Sequence, residues 1–267
     1  MSTLRVGIVQ FAPTADPAEN VATLEPLVRR AAEQGATLVV CPESSIAFDA
    51  DDLDLAERVA QPLDGPFVAP LLALATDLGI DLVVGTYELR ADGLPYNSSA
   101  LLRRDGTVAA YRKVHLYDAF GYRESDHIEP GPIEAPWTLA DGDLTAGTFT
   151  CYDLRFPESA RAAVDAGADV LVVPACWAPG VRKLDHWTTL VRARAIESTS
   201  WVVAADQAVP NGIGHSMVVD PDGVVRGSLG EGVGVLVVDV DSEAIAATRA
   251  RVPSLAGRRL GVPMPTA

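Results

Sequence analysis

Apolar and polar positions along this chain follow two regimes. Short runs rich in Val, Leu and Ile occupy residues 4–11, 37–41, 81–86, 98–102, 108–113, 144–151, 170–174, 201–205, 216–220 and 233–240. Most are of strand length and bounded by Gly, Pro, Asp or Asn, which is the signature of β-strands. Between them, Ala, Leu, Glu and Arg recur at helical spacing. That spacing predicts helices over 18–34, 66–78, 157–166, 184–198 and 242–251. Gly35, Gly79 and Gly167 directly follow three of these segments, as a helix C-terminus favours.

A helix, a glycine and a continuous apolar run recur three times, at 35–40, 79–84 and 167–173. Strands without polar alternation are buried on both faces, so helices must cover the sheet. Other runs pair around tight turns, at Arg104-Asp105-Gly106 and at Asp220-Pro221-Asp222-Gly223. The pattern predicts an α/β chain with one mixed sheet, or with two sheets face to face and helices outside. No Pro/Ser-rich linker divides it, so residues 1–251 read as one domain. Residues 252–267 read as an extended arm with Pro253, Pro263 and Pro265 and the basic pair Arg258 and Arg259. Such an arm either packs on a partner subunit or frays.

Composition narrows the possible roles. The 267 residues carry 21 Lys+Arg against 36 Asp+Glu, a formal charge of −15. So acidic a chain repels phosphate backbones, which argues against nucleic-acid partners and, more weakly, against anionic membranes. An anionic small molecule remains open, because one pocket Arg suffices to hold it. No apolar run has the length of a membrane span, and the first residues lack a signal-peptide core. Cys41, Cys151 and Cys176 are too few for a disulfide framework. The expectation is a soluble, cytoplasmic protein. The glycosylation-type triplet Asn97-Ser98-Ser99 reads as chance in that setting.

Candidate chemistry centres on a few positions. Cys151 follows a strand-like run and precedes Pro157, which suits a helix first turn. A Cys at a strand-to-helix elbow projects beyond the sheet edge, where converging N–H groups can activate it or hold an oxyanion. Buried packing is the ordinary fate of a free Cys, and position alone does not choose among the three. None of the histidines (115, 127, 186, 215) neighbours a Cys in sequence. A carboxylate can replace His as the base. Glu43, just past a buried strand, is one candidate. Lys113 ends an apolar run, either as an edge gatekeeper or as a buried charge. Metal-binding spacings are missing, the acidic stretch 49–54 reads as a solvated face, and Gly230-Glu-Gly232-Val-Gly234 reads as a turn.

Taken together, Val6-Gly-Ile-Val-Gln10, Val39-Val-Cys-Pro-Glu43-Ser, Tyr111-Arg-Lys113-Val-His-Leu-Tyr-Asp118, Gly147-Thr-Phe-Thr-Cys151-Tyr-Asp-Leu-Arg155-Phe-Pro-Glu158, His186-Trp187, Arg192-Ala-Arg-Ala-Ile-Glu197 and Gly214-His-Ser216 form a known pattern. Across residues 4–240 the chain resembles the nitrilase, or carbon–nitrogen hydrolase, superfamily. The resemblance implies an αββα sandwich: two mixed sheets packed face to face with helices outside. It also implies homodimers or larger homo-oligomers joined through helices.

The family's catalytic Glu, Lys and Cys fall on Glu43, Lys113 and Cys151. A second family glutamate falls on Glu124, with Glu129 the nearby competitor. The implied reaction hydrolyses a non-peptide C–N bond through a Cys151 thioester, releasing ammonia or an amine, with no metal or organic cofactor. Lys113 and the N–H of Tyr152 would hold the oxyanion. Cys-Tyr-Asp-x-Arg-Phe-Pro-Glu looks like the Nit branch of ω-amidase and deaminated-glutathione amidase. That branch implies a substrate-carboxylate clamp at Arg155 and an aromatic pocket wall at Trp177. The competing role for Arg155 is an ion pair with Glu158 or Asp153. Arg192, Arg194 and Glu197 are expected in scaffold or dimer contacts, and Cys41 and Cys176 in packing. Ser44-Ser-Ile-Ala-Phe-Asp departs from the branch at the pocket mouth, and the loop 118–124 is short, so the substrate within the class stays open. A nitrilase or N-carbamoyl amino acid hydrolase shares the same triad. An inactive scaffold homologue is opposed by the intact Glu43, Lys113 and Cys151.

Overall fold

A computed structural model gives the fold and describes residues 2–261. The chain forms an αββα sandwich. The first sheet contains β14 (Gly234–Asp241), β1 (Thr3–Gln10), β2 (Leu38–Val40), β3 (Asp81–Glu88), β4 (Tyr96–Leu102) and β5 (Val108–Arg112), in that order. The second contains β13 (Val225–Ser228), β12 (Met217–Val219), β11 (Trp201–Asp206), β10 (Val170–Ala175), β9 (Leu144–Thr148) and β8 (Thr138–Asp141). Each sheet has three central parallel strands, β1–β2–β3 or β9–β10–β11. Each is flanked by one antiparallel strand on one side and two on the other. The helix–glycine–strand repeat in the sequence is the trace of this matched layout. Gly35, Gly79 and Gly167 turn the chain in the left-handed region (φ 88°, 66° and 102°) before β2, β3 and β10.

The period-2 geometry of strands divides the first sheet into two faces. Leu4, Val6, Ile8, Leu38, Val40, Val83 and Leu101 point inward and merge with the second sheet in one core. Their sequence neighbours Val9, Val39, Leu82, Val84, Ala100 and Leu102 point outward. There they meet Leu24 and Val28 of α1 (Pro17–Glu33) and Val68 and Leu71 of α3 (Val68–Leu78). On the second sheet, α4 (Pro157–Asp165) buries Ala160 and Ala163, and α5 (Lys183–Ser198) buries Trp187, Val191 and Ala195. Full burial of such side chains contributes about 1.5–3 kcal/mol each. This explains why the inner strands read as unbroken apolar runs.

Several elements escape the pattern. α2 (Leu55–Val59) is five residues long, and the β6–β7 hairpin (Asp118–Ala119 with Tyr122–Arg123) pairs only two residues per strand. β13 is an exposed edge and β8 is half-buried, so neither shows a buried face. The run 144–151 is not all strand: β9 ends at Thr148, and Cys151–Arg155 is a 3₁₀ turn. α6 (Ser242–Arg251) follows β14 with Asp241 as N-cap. In the expected arm, 254–257 forms a turn, Ser254 lies 3.5 Å from the Glu197 carbonyl, and Arg258 pairs with Asp165. The described part of the arm thus leans on its own chain; Pro263 and Pro265 lie outside the described residues. No helix among the described residues is long and apolar enough to cross a membrane.

One close approach joins the core to the loop that carries Glu43. The chain after β2 runs so near β3 that a Cβ on Gly85 would sit 2.6 Å from Glu43 Cα and 2.6 Å from the Pro42 carbonyl oxygen. Gly85→Ala is expected to destabilise the fold by about 1–3 kcal/mol through overpacking and to displace Glu43. Urea denaturation reads the first effect. Unchanged stability and activity would disprove the steric account.

Candidate active site

The carboxyl ends of the central strands of both sheets converge at one end of the sandwich, where open α/β sheets place their ligands. Glu43 follows β2, Lys113 follows β5, Cys151 follows β9, Cys176 and Trp177 follow β10, and Asp206 ends β11. Glu43, Lys113, Cys151, Cys176 and Trp177 line a cavity of about 400 Å³ together with Tyr117, Tyr152 and Arg155. All the site residues expected from the sequence reach this cavity: Glu43, Lys113, Glu124, Cys151, Tyr152, Arg155 and Trp177.

Lys113 is the buried charge, not the edge gatekeeper. Its ammonium is 2% exposed and donates to Glu43 Oε1 and Glu124 Oε2, both at 2.8 Å. Burial alone would push its pKa down, but the Glu124 and Glu43 carboxylates outweigh that and hold it well above the usual lysine range. Glu124 also accepts the Tyr117 N–H at 2.6 Å. Glu129, its competitor, pairs with Arg90 and is half-exposed. The structure therefore brings Glu124 and not Glu129 to Lys113.

Asn97 is the member that sequence reasoning missed. Its side-chain amide donates to Glu43 Oε1 and Glu124 Oε1, each at 2.8 Å, and its backbone carbonyl accepts the Lys113 N–H. Of the triplet, Asn97 thus lines the cavity. Asn97 sits in β4 with its backbone paired to Lys113, and only that cross-strand neighbour could have marked it. Gln207 adds a donor to the Glu43 backbone carbonyl at 2.8 Å.

Cys151 stands at the elbow in a left-handed conformation, φ 46°, which costs a non-glycine residue about 1–3 kcal/mol. The surroundings hold it there. Asp153 accepts the Thr150 N–H (3.0 Å) and the Tyr111 hydroxyl (2.8 Å) with one oxygen. With the other it accepts the His115 N–H (2.9 Å) and meets His115 Nδ1 (2.7 Å). One carboxylate therefore ties the turn that carries Cys151 to the residues flanking Lys113. Arg194 donates twice to the Leu154 carbonyl, at 3.0 and 2.7 Å, and once to Glu197. These are scaffold contacts, and Arg192 likewise binds the Gly223 carbonyl. Burial, and then the adjacent Glu43, push the Cys151 thiol pKa well up, against the pull of Lys113.

The packing role expected for Cys176 needs correction. Cys41 is fully buried in the outer core, but Cys176 lines the cavity. Its N–H donates to Glu43 Oε2 at 2.8 Å, and its carbonyl lies 3.6 Å from Cys151 Sγ. Asp206 accepts the Trp177 N–H at 2.6 Å and the Ile213 N–H at 3.1 Å, fixing this segment from behind. Arg155 makes neither of the ion pairs considered for it. Its guanidinium carbon lies 4.7 Å from the Trp177 ring centroid and 5.9 Å from that of Tyr152, and its Nε and one terminal nitrogen are buried without a protein acceptor. The acidic stretch 49–54 is mostly solvated, but Ser44, Phe48 and Asp49 border the cavity, as expected of the mouth. Beyond the cavity, Asp54, Glu57 and His127 bring ligand-type atoms within 4.8 Å of one another, although the two acids are exposed.

Comparison with known proteins finds relatives along nearly the whole chain. The family model described as "Carbon-nitrogen hydrolase" matches residues 5–250. A deaminated glutathione amidase of Escherichia coli O157:H7 is 36% identical over 254 residues, covering 95% of this chain and 97% of that protein. A Xanthomonas campestris CN-hydrolase superfamily protein, solved with an arsenic adduct in its active site, superposes with a TM-score of 0.87. It has 28% identity over 98% of this chain and 100% of that one. A mutant amidase from Nesterenkonia sp. AN1 in complex with acrylamide gives a TM-score of 0.80 and 29% identity, over 96% and 98% of the two chains.

Removing the central cation leaves two buried carboxylates face to face. Lys113→Met is expected to destabilise the protein by about 3–5 kcal/mol at neutral pH. The loss shrinks as pH falls, because protonating either carboxylate removes the repulsion. Urea midpoints of wild type and variant across pH check this; a difference that grows in acid contradicts it.

Proposed function

The chain belongs to the carbon–nitrogen hydrolase family, and on that premise we propose that it is a cysteine amidase acting on a small amide that carries a carboxylate. The observation that carries this reading is the cluster of Cys151, Glu43, Lys113 and Glu124, buried together at the cavity floor. Each residue has a step. Glu43 takes the Cys151 proton as the sulfur attacks the amide carbonyl carbon. The carbonyl π electrons move to oxygen, which Lys113 and the Tyr152 N–H stabilise. Tyr152 lies in the first turn of a 3₁₀ segment, where N–H groups lack intrahelical acceptors. Glu43 then protonates the departing nitrogen, the C–N bond breaks, and ammonia or an amine leaves a thioester on Cys151. Water attacks the thioester, gives its proton to Glu43, and the sulfur leaves and recovers that proton. The product is a carboxylic acid.

Glu124 orients Lys113 and the substrate, and Asn97 holds Glu43 and Glu124. Asn97 supplies donors to both acids without adding charge. Arg155 is the clamp for the substrate carboxylate. The absence of a protein acceptor on its buried nitrogens supports this role, and its planar fork suits bidentate binding. The names of the relatives support amide hydrolysis: deaminated glutathione amidase is an amidase by name, and the Nesterenkonia amidase was solved with acrylamide, a small amide. A homodimer or larger assembly joined through helices, in the cytoplasm, completes the reading.

Ammonia or amine release from a panel of ω-amides, N-carbamoyl amino acids and nitriles tests the function. Turnover is expected on the ω-amides and is expected to vanish in Cys151→Ala; equal release by that variant would sink the mechanism. Arg155→Ala is expected to raise KM for carboxylate-bearing amides roughly 10- to 100-fold more than for neutral ones, the worth of a charge-assisted pair. Equal effects on both would reject the clamp.

A further inference from the structure

Amide hydrolysis uses Glu43 but gives no account of the residue that follows it. Ser44 has a φ of 52°, in the left-handed region, although it is not a glycine. A side chain in that region is strained and persists there only where the surroundings impose it. Glycine would adopt the same backbone without strain, so what Ser44 adds is its hydroxyl. Ser44 is 4% exposed and lines the cavity. Its Oγ accepts a hydrogen bond from the Tyr87 hydroxyl at 2.9 Å. Tyr87 lines the same cavity, and burial holds its phenol above the ordinary tyrosine range, so it stays a neutral donor.

Strand register explains where this bond comes from. Tyr87 of β3 stands opposite Asn97 of β4, and directly opposed residues project from one face of a sheet. Asn97 donates to the Glu43 carboxylate, and Tyr87 donates to the next residue along. On either side the loop is fixed through its backbone. The Gly85 N–H donates to the Pro42 carbonyl and the Ile46 N–H to the Gly85 carbonyl, both at 3.1 Å. Between these anchors Ser44 makes its left-handed turn, with Tyr87 on its side chain. The direction of Glu43 matters because its oxygens are already committed. Oε1 accepts from Lys113 and Asn97, and Oε2 from the Cys176 N–H. A base held so tightly serves both the sulfur and the leaving nitrogen from one position, and a misplacement of about 1 Å costs on the order of 100-fold in rate.

We propose that Tyr87 is a positioning residue that acts through the Ser44 hydroxyl to aim the Glu43 carboxylate, and that the strained backbone at Ser44 serves this bond. This rests on the amidase reading and adds a pair of residues to it. Tyr87→Phe removes one oxygen and keeps the ring. It is expected to lower kcat roughly 5- to 30-fold with KM unchanged, as is Ser44→Ala. The double variant is expected to be no slower than either single one, because both remove the same bond. Ser44→Gly is expected to lose as much in kcat while its urea midpoint stays at or above that of wild type, since glycine relieves the strain. Alkylation of Cys151 by iodoacetamide, followed by peptide mass spectrometry to separate it from Cys176, needs Glu43 as base but no amide turnover. Its rate is expected to fall by a similar factor in all three single variants. That measurement decides the proposal with or without turnover on the amide panel, so its failure is distinct from failure of the amidase reading. A wild-type kcat or alkylation rate in Tyr87→Phe overturns the proposal. Losses that multiply in the double variant, or a lowered urea midpoint in Ser44→Gly, overturn it as well, being the marks of a merely structural bond.

Discussion

The Lys113 ammonium, buried between Glu43 and Glu124, is the constraint on which the rest of the site depends. Removing three charges from water costs several kcal/mol each, and only near-ideal geometry offsets it. Lys113 and Glu43 are 70 residues apart in sequence, and Lys113 and Glu124 are 11 apart. Distances of 2.8 Å to both acids therefore demand a rigid frame. Strand pairing supplies it: β2, β3, β4 and β5 are neighbours in one sheet, and their ends cannot move independently. The two acids still need more donors than one lysine offers, and Asn97, the Cys176 N–H and the Tyr117 N–H provide them. Gly85 follows from the same demand, since the loop bearing Glu43 must lie against β3 with no side chain between them.

The second half of the site is held by a different charge. Asp153 sits two residues past Cys151, is fully buried, and contacts Thr150, Tyr111 and His115. It couples the strained turn of the second sheet to the segment of the first that carries Lys113. The same contacts leave Asp153 with no capacity for Arg155, whose guanidinium stays free over Trp177. One carboxylate thus both positions the thiol and leaves a cavity cation unpaired. Burial, and then the adjacent Glu43, raise the Cys151 thiol pKa.

Much of this is legible in the order of residues. Buried strands declare themselves as apolar runs because helices cover both sheets, and the glycines that end the helices mark the repeat. The motifs around Glu43, Lys113 and Cys151 stand at strand ends, where chemistry-bearing residues break the apolar pattern. Elements with little burial are not legible. β13, β8, α2 and the β6–β7 hairpin are short or exposed, so no periodicity distinguishes them from loop. Asn97 escapes for another reason. It is an unremarkable residue in its own segment and acquires meaning only from neighbours distant in sequence, two acids on other elements.

What periodicity determined alone is an α/β chain whose helices cover its sheet or sheets, and what the motifs around Glu43, Lys113 and Cys151 added, through the resemblance they carry, is the family and its αββα sandwich; both kinds of information lie within a few residues. What tertiary structure decided is which groups share charge. It chose Glu124 over Glu129 as the partner of Lys113, brought Cys176 to the cavity while Cys41 stayed in the core, and left Arg155 without an acidic partner. Electrostatic pairing acts over a few ångströms of space, and sheet topology sets those distances whatever the separation along the chain.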